Sequence, residues 1–145
     1  MKALCIRQPW AWLIVAGHKP IENRTWSTSF RGDLLIHAGK AFETEASKSV
    51  AAEFPHLRGP MNRIYDTGGI VGVATVVDVV TTSSSPWFTG PFGLVLRNAR
   101  PLPFTPLRGE QGLFDVDDEL ASGLLARQTA TPAEAEAAGQ QRLIG

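Results

Sequence analysis

Residues 68–82 carry the strongest secondary-structure signal in this chain and constrain its fold the most. The segment is rich in Val and Ile, which favour extended backbone because their branched side chains pack well on a pleated surface. Gly69 and Gly72 interrupt it, a pattern typical of a bulge or of a close approach by another backbone. We therefore expect one long strand over residues 68–82, with a sheet built around it.

Shorter strand and helix signals flank this segment on both sides. Alternation and turn residues predict strands over residues 2–6, 21–26, 33–37, 92–96 and 112–116. Helices are predicted over residues 9–16, with Gly17 just past the end, and over residues 42–54 and 117–125. Asp117 or Asp118 is placed to cap the last helix. Residues 55–67 are expected to form a long loop, and the prolines at 101, 103 and 106 to end regular structure after residue 96. Five to six short strands with two to three flanking helices predict a mixed α/β fold centred on a small closed or half-closed β-barrel.

Length and composition limit the classes of protein to which this chain can belong. The chain has 145 residues, enough for one domain with a proper core. No apolar run approaches the roughly 20 residues that cross a bilayer, so we expect no membrane association. Its single cysteine excludes an internal disulfide framework, and we expect a cytoplasmic protein. Cys5 lies in the first predicted strand, where a small core hydrophobe is more common than a nucleophile. The spacing of His, Cys and Asp matches no metal-binding pattern, and we expect neither metal nor cofactor.

The formal net charge is zero, but the charges are unevenly distributed. Residues 1–40 hold six Lys and Arg against two Asp and Glu, whereas residues 115–145 hold two Lys and Arg against six Asp and Glu. A local basic surface is therefore compatible with a neutral chain if the two segments occupy different faces.

Cations and aromatics are interleaved in the N-terminal third. Arg7, Lys19, Arg24 and Arg31 stand near several tryptophans, an association that an apolar core does not require. Nucleic-acid-binding surfaces use both kinds of side chain, cations to hold phosphates and aromatic rings to stack bases. Four such cations would neutralise up to about three or four phosphates.

Three sequence blocks in this region resemble the ASCH domain, a branch of the PUA-like superfamily. They are Arg-Gln-Pro-Trp-Ala at residues 7–11, Gly-His-Lys-Pro-Ile-Glu-Asn-Arg-Thr-Trp at residues 17–26, and Arg-Gly-Asp-Leu-Leu-Ile-His-Ala at residues 31–38. Weaker similarity follows at residues 69–74, 90–96 and 108–114, so that the resemblance covers about residues 2–116. It implies a PUA-like pseudo-barrel. We expect that domain to occupy residues 1–126, followed by a loosely packed, Ala-rich tail at residues 127–145.

The first functional hypothesis is a nucleic-acid-binding domain whose partner is RNA or another single-stranded nucleic acid. The residues expected to form its basic, aromatic cleft are Arg7, Gln8, Trp10, Lys19, Arg24, Trp26, Arg31, His37 and Lys40. Glu22 is expected in the same cleft, where it would meet a base edge. Structural interpretations compete with these roles: a surface ion pair for Glu22 with its neighbours, a core position for Trp10, and a satisfied buried side chain for His37.

The alternative is a small hydrolase acting on RNA or on a modified, N4-acylated nucleoside. The resemblance implies this because some ASCH proteins remove the acetyl group of N4-acetylcytidine and others are ribonucleases. Lys19 matches the lysine of the amidohydrolases, but Glu22 stands where they have a threonine, and residues 72–76 contain no carboxylate. Two of the three catalytic roles are therefore unmatched, and the specific deacetylation by those residues is not carried over. A different hydrolysis remains open, with Lys19 and Glu22 as catalytic candidates. The lysine would polarise the bond to be cleaved, and the glutamate would act as the base.

A protein-interaction adaptor is a third possible function and is ranked last. At this point RNA, DNA and a free nucleoside are alternative ligands, and the sequence does not fix the oligomeric state.

Overall fold

A computed structural model describes residues 1–127 of this chain. Within them lie six strands, four helices and a single 3-10 turn at Pro55–Leu57. In chain order the elements are β1 (Lys2–Gln8), α1 (Trp10–Val15), β2 (Ile21–Arg24), β3 (Gly32–Phe42), α2 (Thr44–Glu53), α3 (Arg58–Met61), β4 (Gly69–Val80), β5 (Phe92–Pro106), β6 (Leu113–Asp115) and α4 (Asp118–Ala126). The long strand predicted at residues 68–82 is β4. The loop expected over residues 55–67 contains the 3-10 turn and α3, so this region is more helical than its sequence indicated.

All six strands form one mixed sheet in the order β2-β5-β4-β3-β1-β6. The pair β1 and β3 is parallel and the other pairs are antiparallel. The sheet curls strongly. Three strands separate β2 from β1 in the sheet, yet the Arg24 guanidinium on β2 donates a hydrogen bond of 2.8 Å to the Cys5 carbonyl on β1. The predicted mixed α/β fold with a pseudo-barrel-like sheet is confirmed.

The helix α1 fills the inside of the curl. Its Ala11 and Ile14 pack with Leu4, Leu34 and Ile36 in an inner cluster, which is the largest apolar group of the described residues. The opposite face of the sheet packs against α4. A third cluster joins α1 to α2 and α3. Since β3 contributes to both faces, residues 34–39 are all buried, and Leu34, Leu35 and Ile36 follow one another without alternation.

The fifth strand differs most from expectation. We predicted that it would end near residue 96, but it continues to Pro106 and includes Pro101 and Pro103. The prolines are tolerated because β2 pairs with β5 only along residues 92–95. Among the described residues, the second edge of β5 has no strand partner beyond that point, and a missing N–H there costs no ladder hydrogen bond.

The start of α4 and the end of α1 follow ordinary capping rules. The Asp117 carboxylate accepts a hydrogen bond from the Leu120 amide at the start of α4, as the sequence predicted. Pro9 precedes α1, and Gly17 adopts a positive φ of 87° just past its end. None of the helices in residues 1–127 has the length and hydropathy of a membrane span. A loosely packed tail was predicted over residues 127–145. Arg127 is the C-cap residue of α4, and residues 128–145 lie outside the described residues.

Candidate functional site

A cavity of about 610 Å³ opens where the curled sheet brings β1 and β2 together. Its other walls come from the start of α1, from α2, and from the loop between β4 and β5. Six of the residues predicted for the cleft line it: Arg7, Trp10, Lys19, Glu22, Arg24 and Trp26. The cavity therefore gathers residues from four sequence segments, within residues 5–10, 19–26, 43–54 and 86–89, around one opening.

A buried ionic centre lies in this cavity. The Lys19 ammonium donates to one carboxylate oxygen of Glu22 at 2.9 Å and to the Ile21 carbonyl at 2.5 Å. The Arg24 Nε donates to the second carboxylate oxygen at 3.1 Å. The Arg24 Nη2 lies 2.9 Å from the same oxygen and donates to the Cys5 carbonyl. The Lys19 side chain is 4% exposed and that of Glu22 is 9% exposed, so this is not a surface ion pair. The Glu22 carboxylate therefore pairs with both Lys19 and Arg24 in a site that is largely shielded from bulk water.

Local backbone structure explains how the lysine reaches the glutamate. After α1 the chain turns at Gly17, and the Lys19 amide donates to the Leu13 carbonyl at 2.9 Å. Regular strand geometry begins only at Ile21, so the alternation of faces does not separate Lys19 from Glu22.

Aromatic rings cover both cations of the ionic centre. The Lys19 ammonium lies 5.5 Å from the centroid of Trp10, and the Arg24 guanidinium lies 5.9 Å from that of Trp26. Both rings also pack against the inner cluster. Each cation therefore lies against the electron-rich face of an aromatic ring, which is a favourable electrostatic contact.

The cavity is aromatic, but its charges balance. Besides the ionic centre it contains Arg7, Glu43 and Glu53, so that three cations face three carboxylates. Arg7 lies 3.6 Å from Glu43, and the Trp10 indole N–H also donates to that carboxylate. We expected a basic cleft from the excess of cations in residues 1–40. The carboxylates of α2 and of the residue before it offset that excess, because the fold places them on the facing wall.

Gln8 and His37 lie outside the cavity, and both are buried. The Gln8 side chain donates to the Asp66 carbonyl and accepts from the Trp12 amide, both at 2.9 Å, so it anchors the start of α1 to the chain before β4. His37 faces the other side of the sheet, where its Nε2 lies 2.5 Å from the Leu107 carbonyl. Its Nδ1 is buried without a hydrogen-bond partner. The strand period explains the separation, because the neighbours of His37 on β3 point into the inner cluster and His37 points away from it.

Arg31 and Lys40 are also outside the cavity, and both are exposed. The Arg31 guanidinium donates to the carbonyls of Thr28 and Phe30, at 3.1 and 2.9 Å, and lies 3.8 Å from Asp78. Lys40 lies near the end of β3 beyond a register shift. The predicted cleft residues therefore divide into those that line the cavity, two that are buried elsewhere and two that are exposed elsewhere.

Cys5 contributes its carbonyl oxygen to the ionic centre. Burial raises the pKa of its thiol, and the nearby cations Arg24 and Arg7 lower it by less. A thiol with a raised pKa is a poor nucleophile at neutral pH, in line with the structural role that the sequence indicated.

Three cavity residues had no signal in the sequence. Trp87 and Asn23 line the cavity, as does Phe54 at the end of α2. Trp87 follows a run of serines that predicts only a turn, and Phe54 lies far from the N-terminal blocks in the sequence. Their placement depends on long-range packing, which local pattern cannot predict.

Comparison with known proteins identifies relatives of this chain. The sequence model of the ASCH domain matches residues 4–90. Among curated proteins, activating signal cointegrator 1 of Homo sapiens and that of Mus musculus are each 26% identical over 133 residues, covering 83% of this chain. The match spans 23% of the length of these two relatives.

Solved structures match the fold over most of its length. A mutant form of ZmASCH from Zymomonas mobilis superposes with a TM-score of 0.55 at 14% identity, covering 86% of this chain and 94% of the other. The unmutated ASCH protein of the same organism gives a TM-score of 0.53 at 14% identity, covering 87% and 94%. At this identity the likeness concerns the fold.

Proposed function

This chain belongs to the ASCH domain family, within the PUA-like superfamily, and on that premise we propose that it binds RNA or another single-stranded nucleic acid by taking one base into the cavity. The observation that carries the proposal is the buried Lys19–Glu22–Arg24 centre, enclosed by tryptophans in a cavity of about 610 Å³. Sites of roughly 300–1,000 Å³ suit small ligands, and a nucleoside is of that class.

The chemistry of the cavity matches what an unpaired base presents. Bases in single-stranded regions are recognised by stacking on aromatic rings and by hydrogen bonds along their edges. Each Glu22 oxygen accepts from one cation and retains further acceptor capacity for an exocyclic amino group. A base paired in a duplex offers neither its faces nor its pairing edge, so the proposed ligand is single-stranded.

Phosphate contacts play a smaller part in this proposal than the cation count of the sequence indicated. Lys19 and Arg24 are both bonded to Glu22. Arg7 is at the rim with 65% of its side chain exposed, and it lies at a longer distance from Glu43. We therefore expect the cavity to neutralise about one phosphate, giving a slope near −1 in a plot of log binding constant against log salt concentration.

Titration of a fluorescently labelled single-stranded RNA at two salt concentrations tests the proposal. We expect Lys19→Ala to weaken binding, because it removes a cation from the ionic centre and leaves Glu22 incompletely paired. Lys48→Ala is the matched control, since Lys48 is 71% exposed on α2 and pairs only with the exposed Glu45 among the ion pairs of the described residues. Absence of binding by the unmutated protein at low salt would overturn the proposal.

A hydrolase is the second candidate, and one contact favours it. Lys19 and Glu22 form a 2.9 Å buried pair that faces an open cavity. In hydrolysis of an N4-acylated cytidine, Glu22 would take a proton from water as the water oxygen attacks the acyl carbon, and Lys19 would stabilise the developing oxyanion. The C–N bond then breaks, the amine receives the proton, and a carboxylic acid is released.

Product analysis separates this candidate from simple binding. N4-acetylcytidine and a single-stranded RNA are each incubated with the unmutated protein and with Glu22→Gln. The hydrolase candidate requires turnover by the unmutated protein and its loss in the variant. Unchanged substrate after incubation with the unmutated protein excludes it and leaves the binding proposal standing.

A further inference from the structure

The loop between β4 and β5 contributes an aromatic wall to the cavity through Trp87. Its ring stacks on Phe54, the C-cap residue of α2, with centroids 4.3 Å apart and planes inclined by 7°. Both rings line the cavity. The stack joins a loop and a helix end that are distant in the sequence, and it fixes the plane of the tryptophan.

The side chain of Asn23 holds this loop in place. Its amide nitrogen donates to the Trp87 carbonyl at 2.9 Å. Its amide oxygen accepts from the amides of Thr89 and Gly90, at 2.8 and 3.1 Å. Three hydrogen bonds from one side chain to the backbone on both sides of position 88 restrict the loop to one path.

Asn23 also stands between the two β2 residues of the ionic centre. Glu22 and Arg24 flank it, and all three pair with β5 in a continuous antiparallel register. A single short strand therefore positions both the polar centre of the cavity and its aromatic wall. Movement of β2 would shift the two together, and their separation is set by the fold before any ligand binds.

Of the tryptophans in the cavity, Trp87 is best placed to accept a ligand ring. Trp10 and Trp26 each have a cation over the ring and pack against the inner cluster. Trp87 packs against the third cluster, but the ring on which it stacks is the neutral one of Phe54, and a planar ligand would extend that stack by a third ring. Parallel or offset aromatic stacking tolerates any base, because every base has a π-face.

We infer that Trp87 is the surface on which the ligand's ring stacks and that Asn23 is the positioning residue that holds it there. The inference rests on the proposed function, that the cavity takes one base, and it narrows the ligand to a planar, uncharged heterocycle such as an unmodified or acylated nucleobase. The balanced charges of the cavity agree with an uncharged ring. Loss of one stacking partner weakens nucleic-acid binding by about 5- to 150-fold.

The test compares a labelled single-stranded RNA with an oligonucleotide of equal length that contains abasic sites and the same number of phosphates. We expect the unmutated protein to prefer the base-containing strand. Trp87→Ala is expected to bind that strand about 5- to 150-fold more weakly and the abasic strand with nearly unchanged affinity. Trp87→Phe keeps a ring and is expected to retain part of the preference, which a general loss of folding would not produce.

A separate comparison of variants tests the positioning role of Asn23. Asn23→Ala is expected to reduce the preference for the base-containing strand although Trp87 is intact, and the double variant with Trp87→Ala to be no weaker than Trp87→Ala alone. Asn62→Ala, at the exposed end of α3, is the control. Melting curves verify that each variant is folded at the assay temperature. If Asn23→Ala is unfolded, Asn23→Ser replaces it, because a smaller polar side chain shortens the reach to the loop but leaves the site uncharged.

The possible outcomes separate the inference from the proposed function. If the unmutated protein binds and Trp87→Ala keeps its preference for bases, the stacking role is wrong and the binding function stands. If the effects of the two substitutions add in full, Asn23 does not act through Trp87. If the unmutated protein binds neither strand, the proposed function itself fails.

Discussion

At the scale of single residues, Glu22 has the most unusual environment, because its carboxylate is nearly buried and is paired with two cations. Its carboxylate is 9% exposed and accepts hydrogen bonds from two cations, each of which lies over a tryptophan ring. Buried ion pairs cost desolvation energy, so their presence is weak evidence for stability by itself. Breaking one by removing a partner has a larger effect, because a charge is then left buried without compensation.

Glu22→Gln is expected to lower the free energy of unfolding by about 3 kcal/mol, since Lys19 would lose its counter-charge at a position that is 4% exposed. Chemical denaturation measures the change. The control is Glu45→Gln, whose pair with Lys48 is exposed on α2 and whose loss is expected to cost less than about 0.5 kcal/mol. Equal effects of the two substitutions would show that the ionic centre is not coupled to stability.

Cys5 is expected to react slowly with alkylating agents. Burial raises the pKa of its thiol in the folded protein, and the thiolate is the reactive form. At pH 8, iodoacetamide is expected to modify the folded protein more slowly than the protein unfolded in guanidinium, as measured by mass spectrometry. Because the folded state binds the proton more tightly, this thiol contributes stability below its unfolded pKa, and that contribution is lost as the pH rises through the folded pKa. Equal alkylation rates would contradict the raised pKa.

At the scale of elements, close approach between α1 and the sheet requires a glycine on β4. A Cβ at Gly72 would lie 2.6 Å from the Arg100 carbonyl oxygen and would overlap the Val15 side chain of α1. The first neighbour is backbone and the second is buried, so neither can yield easily. This contact explains why a glycine interrupts the Val- and Ile-rich segment that defines the strand.

Gly72→Ala is therefore expected to lower the free energy of unfolding by at least about 1–3 kcal/mol through overpacking. Gly59→Ala is the matched control, because a Cβ there meets no heavy atom within 4 Å. Gly59 lies in α3, and its replacement is expected to be neutral or to stabilise by up to about 1 kcal/mol. Thermal and denaturant unfolding measure both. A neutral Gly72→Ala would mean that α1 can move away from the sheet at little cost.

At the scale of the whole molecule, folding depends on the apolar clusters that line both faces of the curled sheet. Their buried members lie between Ala3 and Leu124. We propose that residues 1–126 form the folded unit. A protein that ends at Arg127 is then expected to melt within about 2 °C of the full chain, with equal cooperativity, because a ΔΔG of 1 kcal/mol corresponds to a shift of about 2–8 °C. Scanning calorimetry of the two proteins measures this, and a broad or much lower transition would show that residues 128–145 contribute to the core.

Much of the architecture follows from local pattern. The Val- and Ile-rich segment predicted β4, alternation predicted the short strands, and Asp117 predicted the start of α4. The extent of β5 was not predictable in this way. Whether prolines at 101 and 103 end a strand depends on whether a neighbour needs their amide hydrogens, and only strand order decides that.

The sequence by itself determined the family, the fold class and the chemical character of β1, α1 and β2, because these depend on residue types at fixed spacings. Tertiary structure alone decided which of those residues meet. It brought Lys19, Glu22 and Arg24 into one buried centre, turned His37 to the other face of the sheet, and placed Glu43 and Glu53 opposite the cations. It also brought Trp87 to the cavity. The loop that carries Trp87 lies more than 60 positions from β2 in the sequence, and Asn23 of β2 is hydrogen-bonded to it. The physical reason is that charge balance and enclosure are properties of facing walls, and the curl of the sheet sets which walls face each other.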